Sequence, residues 1–189
     1  VLLMSKQIKA FINARLLDPA SGLDSLGSLI VTDRIITEFG SKISVPKNAE
    51  TIDCQGNCLA PGLIDMRAFL GEPGYEHKET FSTAGEAAAA GGITTLIGQP
   101  QTDPIVDEPA VVGYIARSAR TNSKVKVYTM AAITKGLQGK EMTEMGLLSQ
   151  SGAVAFTDGD IAVADTRVMF RALSYASTWD LLIVQHSED

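Results

Sequence analysis

The first part of the chain alternates apolar and polar positions at the spacing of short β-strands. Residues 8–17 and 28–36 carry this spacing, and a further short strand is predicted over residues 51–54. Asp33-Arg34 interrupts the apolar pattern where a hairpin would turn, and Gln55-Gly56-Asn57 is a second turn signal. The pattern predicts a small β-rich portion over residues 1–57, and it offers no candidate for catalysis.

From residue 58 onward the pattern changes to short apolar runs that alternate with helix-like segments. Five strands and four helices in strict alternation predict an α/β fold, with a parallel sheet and right-handed crossover connections. An open doubly wound sheet and part of a closed (β/α)8 barrel both fit this order. The predicted strands cover residues 59–64, 93–97, 125–133, 153–156 and 181–185, and the helices begin near residues 80–82, 109, 142 and 165 and end near residues 90, 120, 150 and 176.

Composition narrows the class of protein. The chain has 189 residues, of which 45% are hydrophobic and 20% are charged, as is ordinary for a soluble globular protein. A net charge of −6 argues against nucleic acid or an anionic membrane as a partner, and no apolar run approaches the roughly 20 residues that span a bilayer. Cys54 and Cys58 do not have the spacing of a CxxC motif, so we predict reduced thiols and a cytoplasmic location.

Several short motifs in the second part of the chain resemble one known family. Ala-Pro-Gly-Leu-Ile-Asp at residues 60–65 and Glu-Pro-Gly at residues 72–74 are similar to the first barrel strand and following loop of dihydroorotases, within the amidohydrolase superfamily. Further motifs of the family stand at residues 91–95, 134–137 and 155–158. The resemblance implies a (β/α)8 barrel flanked by a β-sandwich. A complete barrel takes roughly 250 residues, so we expect residues 58–189 to supply its N-terminal half and residues 1–57 to supply part of the sandwich.

The resemblance breaks where the family binds zinc. In dihydroorotases the aspartate that corresponds to Asp65 is followed by His-x-His, the first two zinc ligands, and here those positions hold Arg67 and Phe69. An arginine side chain is always protonated and has no lone pair to offer, and phenylalanine has no donor atom. The family's substrate-binding arginine is replaced by Gly71, and its substrate-binding asparagine by Gln101. The motif positions therefore predict a degenerate site.

The fourth and fifth predicted strands end in the remaining candidates. By the resemblance, the family's metal-binding aspartate falls on Gly159, between Asp158 and Asp160, and His186 matches a metal ligand. A shift of register would rescue one of the two aspartates. We interpret His186 and Asp158 as relics of a metal site, and Gln101 as a weak candidate for a substrate contact.

Two further side chains need an interpretation. Lys135 follows the third strand of the barrel portion, where a catalytic or carboxylated lysine can stand, but Thr-Lys-Gly belongs to the family's scaffold motif. We therefore prefer a structural role for Lys135. Arg67 stands where a zinc ion would be bound, and we hypothesise that its guanidinium replaces the metal cation and pairs with Asp65 or Asp158.

Two functions fit these observations, and the discriminating feature is Arg67-Ala68-Phe69. The first is a catalytically degenerate dihydroorotase-like protein of de novo pyrimidine biosynthesis, because the family includes inactive forms that assemble with aspartate carbamoyltransferase. This function needs no cofactor. The alternative is an active zinc-dependent dihydroorotase or cyclic amidohydrolase, which interconverts carbamoyl-aspartate and dihydroorotate at an altered metal site. The loss of His-x-His favours the first, and we expect an oligomer that binds neither nucleic acid nor membranes.

Overall fold

The first part of the chain forms a five-stranded sheet. The structure, a computed structural model, describes residues 7–188, and the chain divides into two compact units between Pro61 and Gly62. In the first unit, β1 (Ile8–Asp18), β2 (Leu23–Thr32) and β3 (Ile35–Gly40) pair antiparallel in sequence. β4 (Glu50–Asp53) and β5 (Cys58–Leu59) both pair parallel with β1, so the sheet has the order β3-β2-β1-β4 with β5 beside β4 on the same edge of β1.

The register of this sheet follows from its turns. Asp33 and Arg34 have positive φ angles of 48° and 74°, the left-handed geometry of a tight hairpin turn, which confirms the predicted hairpin tip. Phe11 is the register partner of both Leu29 and Ile52. Leu29 is in turn the partner of Phe39 on β3, so an apolar row crosses four strands.

An ion pair joins β1 to β2. Nε and Nη2 of Arg15 donate to Oδ1 and Oδ2 of Asp24 at 2.7 and 2.6 Å, which is the two-pronged geometry that arginine makes with a carboxylate. The side-chain hydrogen bond from Arg15 lowers the pKa of Asp24 below its ordinary value. Both side chains are about half exposed, so we expect the pair to contribute little to the stability of the fold.

The second unit is a parallel sheet with helical crossovers. β6 (Leu63–Ala68), β7 (Ile93–Gly98), β8 (Lys126–Ala131) and β9 (Ala153–Phe156) lie side by side in chain order. α1 (Phe81–Ala90), α2 (Pro109–Asn122) and α3 (Met145–Gln150) connect them, a 3₁₀ turn (Lys135–Leu137) follows β8, and α4 (Thr166–Trp179) follows β9. This arrangement confirms the predicted α/β alternation and its four helices.

Local signals explain where the helices begin. The hydroxyl of Thr80 accepts from the backbone N–H of Thr83, and the Thr83 hydroxyl accepts in return from the Thr80 N–H, which caps α1. Pro109 is the first residue of α2, and the Asp165 carboxylate caps α4. No helix over the described residues is long and apolar enough to cross a membrane. Each long helix buries one face at intervals of three or four residues: Phe81, Gly85 and Ala88 on α1, Val112, Ile115 and Ala119 on α2, and Val168, Ala172 and Ala176 on α4.

The first strand of the second unit differs from the prediction. A buried strand was expected over residues 59–64, but Leu59 pairs with β1 in the first unit and β6 begins at Leu63. Pro61 and Gly62 separate the two strands, because proline offers no N–H to a ladder. Leu63 is 63% exposed and Ile64 is 58% exposed. Both stand on an edge strand of the sheet rather than in its interior.

Two other elements are shorter than predicted. The fifth strand of the barrel portion is present as one parallel bridge between Phe156 and Ile183, supported by two backbone hydrogen bonds of 2.9 and 2.8 Å. α3 begins at Met145 rather than at residue 142, because Met142 forms an antiparallel bridge with Thr134 instead.

Candidate functional site

The carboxyl ends of the parallel strands meet at one edge of the second unit. Neighbouring parallel strands present their carboxyl ends on the same side, so the residues that follow them converge. A cavity of about 110 Å³ opens at this edge. We call it the mouth cavity, and it is lined by Met66, Arg67, Gln99, Met130, Thr157, Gly159, Val184, Gln185 and His186.

The mouth cavity contains some of the residues that the sequence singled out, and not others. Arg67, Gly159 and His186 line it together. Phe69 and Asp158 are not among the lining residues. The Phe69 ring lies 6.3 Å, between centroids, from the ring of Tyr75 in the loop that follows.

Six lining residues were not identified from the sequence as candidates, among them Met66, Met130 and Thr157. Met66 and Met130 lie within two residues of the ends of β6 and β8, and Thr157 directly follows β9. Their position next to a strand end was the available signal. Their side chains carry no titratable group, and so they did not stand out as candidates.

A polar network of Arg67, Asp160 and Gln101 spans the edge of the cavity. Nη2 of Arg67 donates to Oδ1 of Asp160, and Nε2 of Gln101 donates to Oδ2 of the same carboxylate at 3.3 Å. The ion pair therefore forms with Asp160, and the expected pairing of Arg67 with Asp65 or Asp158 is wrong. The Asp65 carboxylate accepts the backbone N–H of Arg67 at 2.9 Å.

Asp158 points into the protein rather than into the cavity. Its side chain is buried, with 1% of the residue exposed. Oδ1 accepts the backbone N–H groups of Ile133 and Thr134 at 2.9 Å each, and Oδ2 accepts the hydroxyl of Thr134. These bonds tie the end of β9 to the end of β8. These bonds give Asp158 a structural role, and its interpretation as a relic of a metal site stays a prediction.

Gly159 provides space for a neighbouring side chain. Its φ is +69°, which favours glycine, and it is buried. A Cβ added at Gly159 would lie 2.3 Å from Cδ of Gln101. The Gln101 amide therefore fills the volume that a side chain at position 159 would need.

Gly71 is enclosed by backbone. Its φ is +68°, and a Cβ at this position would lie 2.3 Å from the carbonyl oxygen of Glu79. The carbonyl of Gly71 accepts the backbone N–H of Tyr75 at 2.6 Å. The loop after β6 therefore packs so tightly at Gly71 that it leaves no space for a side chain there.

The two remaining candidates, Lys135 and His186, have different surroundings. The ammonium of Lys135 donates to Glu141, and this hydrogen bond raises the pKa of Lys135 above its ordinary value. An ammonium held protonated in this way is a poor base or nucleophile, which supports a structural role for Lys135. His186 keeps its imidazole at the mouth cavity, with Nε2 3.5 Å from a carboxylate oxygen of Glu188.

Sequence comparison assigns relatives to most of the chain. The family described as Dihydro-orotase-like matches residues 56–189. The chain is 42% identical over 177 residues to a dihydroorotase of Solibacter usitatus, and the match covers 94% of this chain and 41% of that protein. It is 43% identical over 184 residues to a dihydroorotase of Ehrlichia chaffeensis, covering 95% of this chain and 41% of that protein. The chain thus spans about two fifths of the length of these relatives.

Structural comparison agrees on the fold. An L-hydantoinase (dihydropyrimidinase) from Arthrobacter aurescens superimposes with a TM-score of 0.82 at 23% identity, over 95% of this chain and 40% of that chain. A solved dihydroorotase superimposes with a TM-score of 0.60 at 11% identity, over 96% of this chain and 51% of that chain. Such neighbours are TIM-barrel amidohydrolases, so the parallel sheet is part of a (β/α)8 barrel and not an open doubly wound sheet.

Proposed function

This chain belongs to the dihydroorotase-like family, and from that premise we propose a non-catalytic role in de novo pyrimidine biosynthesis. In this proposal the protein keeps the dihydroorotase scaffold, has lost the hydrolytic site, and acts as a structural partner of aspartate carbamoyltransferase. The observation that carries the proposal is the ion pair between Arg67 and Asp160 at the place where the family resemblance puts a zinc ligand.

The donor set at the mouth cavity does not fit zinc. A hydrolytic zinc site needs three side chains with lone pairs and one open position for water. Arg67 and Phe69 offer no lone pair. Asp158 is buried, bonds to Ile133 and Thr134, and does not line the mouth cavity. Among the positions within residues 7–188 that the resemblance matches to family ligands, His186 is the donor that remains. Over the described residues, no group of three or more His, Cys, Asp or Glu side chains is placed to hold a metal ion.

The loop after β6 supports the same proposal independently of the metal. By the resemblance, dihydroorotases carry at position 71 an arginine that binds the substrate carboxylate. Gly71 lies so close to the Glu79 carbonyl that any side chain here requires the backbone to move. Loss of the metal ligands and loss of the substrate arginine are therefore two separate changes with the same consequence.

An enzymatic assay tests the loss of catalysis. The full natural chain, supplied with zinc, is assayed for interconversion of carbamoyl-aspartate and dihydroorotate, with the Solibacter usitatus dihydroorotase as the positive control. We expect no turnover above background. Turnover that a chelator abolishes would overturn the proposal and support the alternative, an active zinc-dependent cyclic amidohydrolase.

A binding measurement tests the proposed partnership. Aspartate carbamoyltransferase from the same organism is mixed with the chain and analysed by size-exclusion chromatography with light scattering. We expect a complex of defined stoichiometry, and an oligomeric form of the chain itself. Separate elution of the two proteins at micromolar concentration would contradict the structural role. It would not bear on the loss of catalysis, which the activity assay tests.

A further inference from the structure

Gln101 and Gly159 fit each other in a way that the changes at Arg67 and Phe69 do not require. The glutamine amide lies where the side chain of residue 159 would be, and it donates to Asp160 at 3.3 Å. An arginine at position 67 needs a carboxylate partner, but it does not need a glutamine at 101 or a glycine at 159. The fit between the two residues therefore needs an explanation of its own.

We infer that Gln101 and Gly159 form a matched pair that closes the mouth against a metal-ligating carboxylate at position 159. The same glutamine holds Asp160 toward Arg67. The inference rests on the proposed loss of catalysis and deepens it, because it predicts that restoring the missing ligands alone does not restore a metal site.

Geometry and charge both oppose a carboxylate at position 159 while Gln101 is present. The Gln101 side chain is flexible and can turn away, but it then gives up its hydrogen bond to Asp160. A third carboxylate would then stand between Asp158 and Asp160, with the guanidinium of Arg67 as the cation already paired to Asp160. Neighbouring negative charges repel one another unless a cation lies between them. Removing the glutamine side chain relieves the crowding and leaves room for a metal ion to neutralise the charge.

Thermal unfolding of the full chain tests the steric part of the inference. Gly159→Asp is compared with Gly139→Asp, because Gly139 has nearly the same φ of +67° but no heavy atom within 4 Å of an added Cβ. Gly139→Asp thus reports backbone strain alone. We expect Gly159→Asp to lower the melting temperature by about 2–4 °C more than Gly139→Asp, and we expect Gln101→Ala to remove this excess. Equal losses for the two aspartate variants, or an excess that persists with Gln101→Ala, would overturn the inference.

Zinc binding tests the functional part without any need for turnover or for a partner protein. Arg67→His, Phe69→His and Gly159→Asp are combined in one chain, and Gln101→Ala is then added. Gln150→Ala, at an exposed glutamine on α3, replaces it in the matched control. We expect zinc to bind at least about tenfold more tightly after Gln101→Ala than in the control, by calorimetric titration with zinc ion. Equal zinc affinity in the two backgrounds, including no binding in either, would refute the matched pair.

Discussion

Replacement of Asp158 by alanine distinguishes a structural carboxylate from a remnant of metal chemistry. The side chain is buried and accepts three hydrogen bonds, from the backbone N–H groups of Ile133 and Thr134 and from the hydroxyl of Thr134. Alanine leaves these donors without an acceptor. Because the site is buried, with Asp158 only 1% exposed, bulk water does not readily replace the lost bonds.

The size of the expected loss follows from the number of donors left unpaired. A buried donor without an acceptor costs about 1–3 kcal/mol. Two backbone N–H groups then give about 2–6 kcal/mol, and the Thr134 hydroxyl adds less because it can rotate toward another acceptor. A typical domain is stable by about 5–15 kcal/mol, so Asp158→Ala removes a large share of the total. Asp158→Asn keeps one carbonyl oxygen for the two N–H groups, and we expect it to lose about 1–2 kcal/mol.

Urea unfolding followed by circular dichroism measures these losses. Asp160→Ala is the matched control, because Asp160 is a neighbouring carboxylate whose side chain is 65% exposed. We expect Asp160→Ala to change the free energy of unfolding by less than about 1 kcal/mol. If Asp158→Ala is no more destabilising than Asp160→Ala, the structural assignment of Asp158 is wrong. A loss of bound zinc with unchanged stability would instead assign Asp158 to a metal site.

Three further predictions follow from the described contacts. Thr80→Ala removes the cap of α1 and should lower the free energy of unfolding by about 1 kcal/mol in thermal melts, whereas Thr121→Ala, within α2, should have little effect. The pKa of Asp24 in the folded chain lies below its ordinary value of 3.8 because of Arg15, so its stabilisation is present above that pH and is lost as the pH falls through the folded pKa. Asp24→Asn should therefore flatten the acid limb of stability measured from about pH 6 down to pH 2, and an unchanged limb would contradict this. Arg67→Met removes an ion pair whose two side chains are each 65% exposed, so it should cost less than about 1 kcal/mol in urea unfolding, and a loss above about 2 kcal/mol would show that the pair is structural.

Helix positions were predictable because their signals are local. Thr80, Pro109 and Asp165 mark the starts of three helices within a few residues of sequence, and the structure uses them as caps or as a first helical residue. Strand limits were less predictable. Leu59 belongs to an apolar run that continues to Ile64, and its pairing with β1 depends on residues more than forty positions earlier. An apolar run shows that a segment is suited to a sheet, but not which strand it pairs with.

Some features of the candidate site were likewise predictable from the sequence, and others were not. That Arg67 and Phe69 cannot ligate a metal follows from the chemistry of their side chains alone. The partner of Arg67 was not predictable, because three carboxylates, at Asp65, Asp158 and Asp160, stand at strand ends near it. Only the backbone path after β9 turns Asp158 inward and Asp160 outward. The contact between Gln101 and Gly159 was also not predictable, because the two residues lie far apart in sequence and meet only in the folded chain.

The segment Asp158-Gly159-Asp160 combines a structural role with positions at the cavity and the surface. Asp158 joins two strand ends through buried hydrogen bonds. Gly159 has no side chain, and the Gln101 amide occupies that space. Asp160 pairs with Arg67 at the surface. Substitution of Asp158 breaks buried hydrogen bonds, whereas Gly159 lines the mouth cavity and Asp160 is exposed, so we expect changes at these two positions to cost less stability. Family motifs around Asp158 and Lys135 can therefore be retained for folding alone, since both side chains have structural partners. Their retention is no argument for hydrolysis, and the test of function lies with the residues that face the mouth cavity.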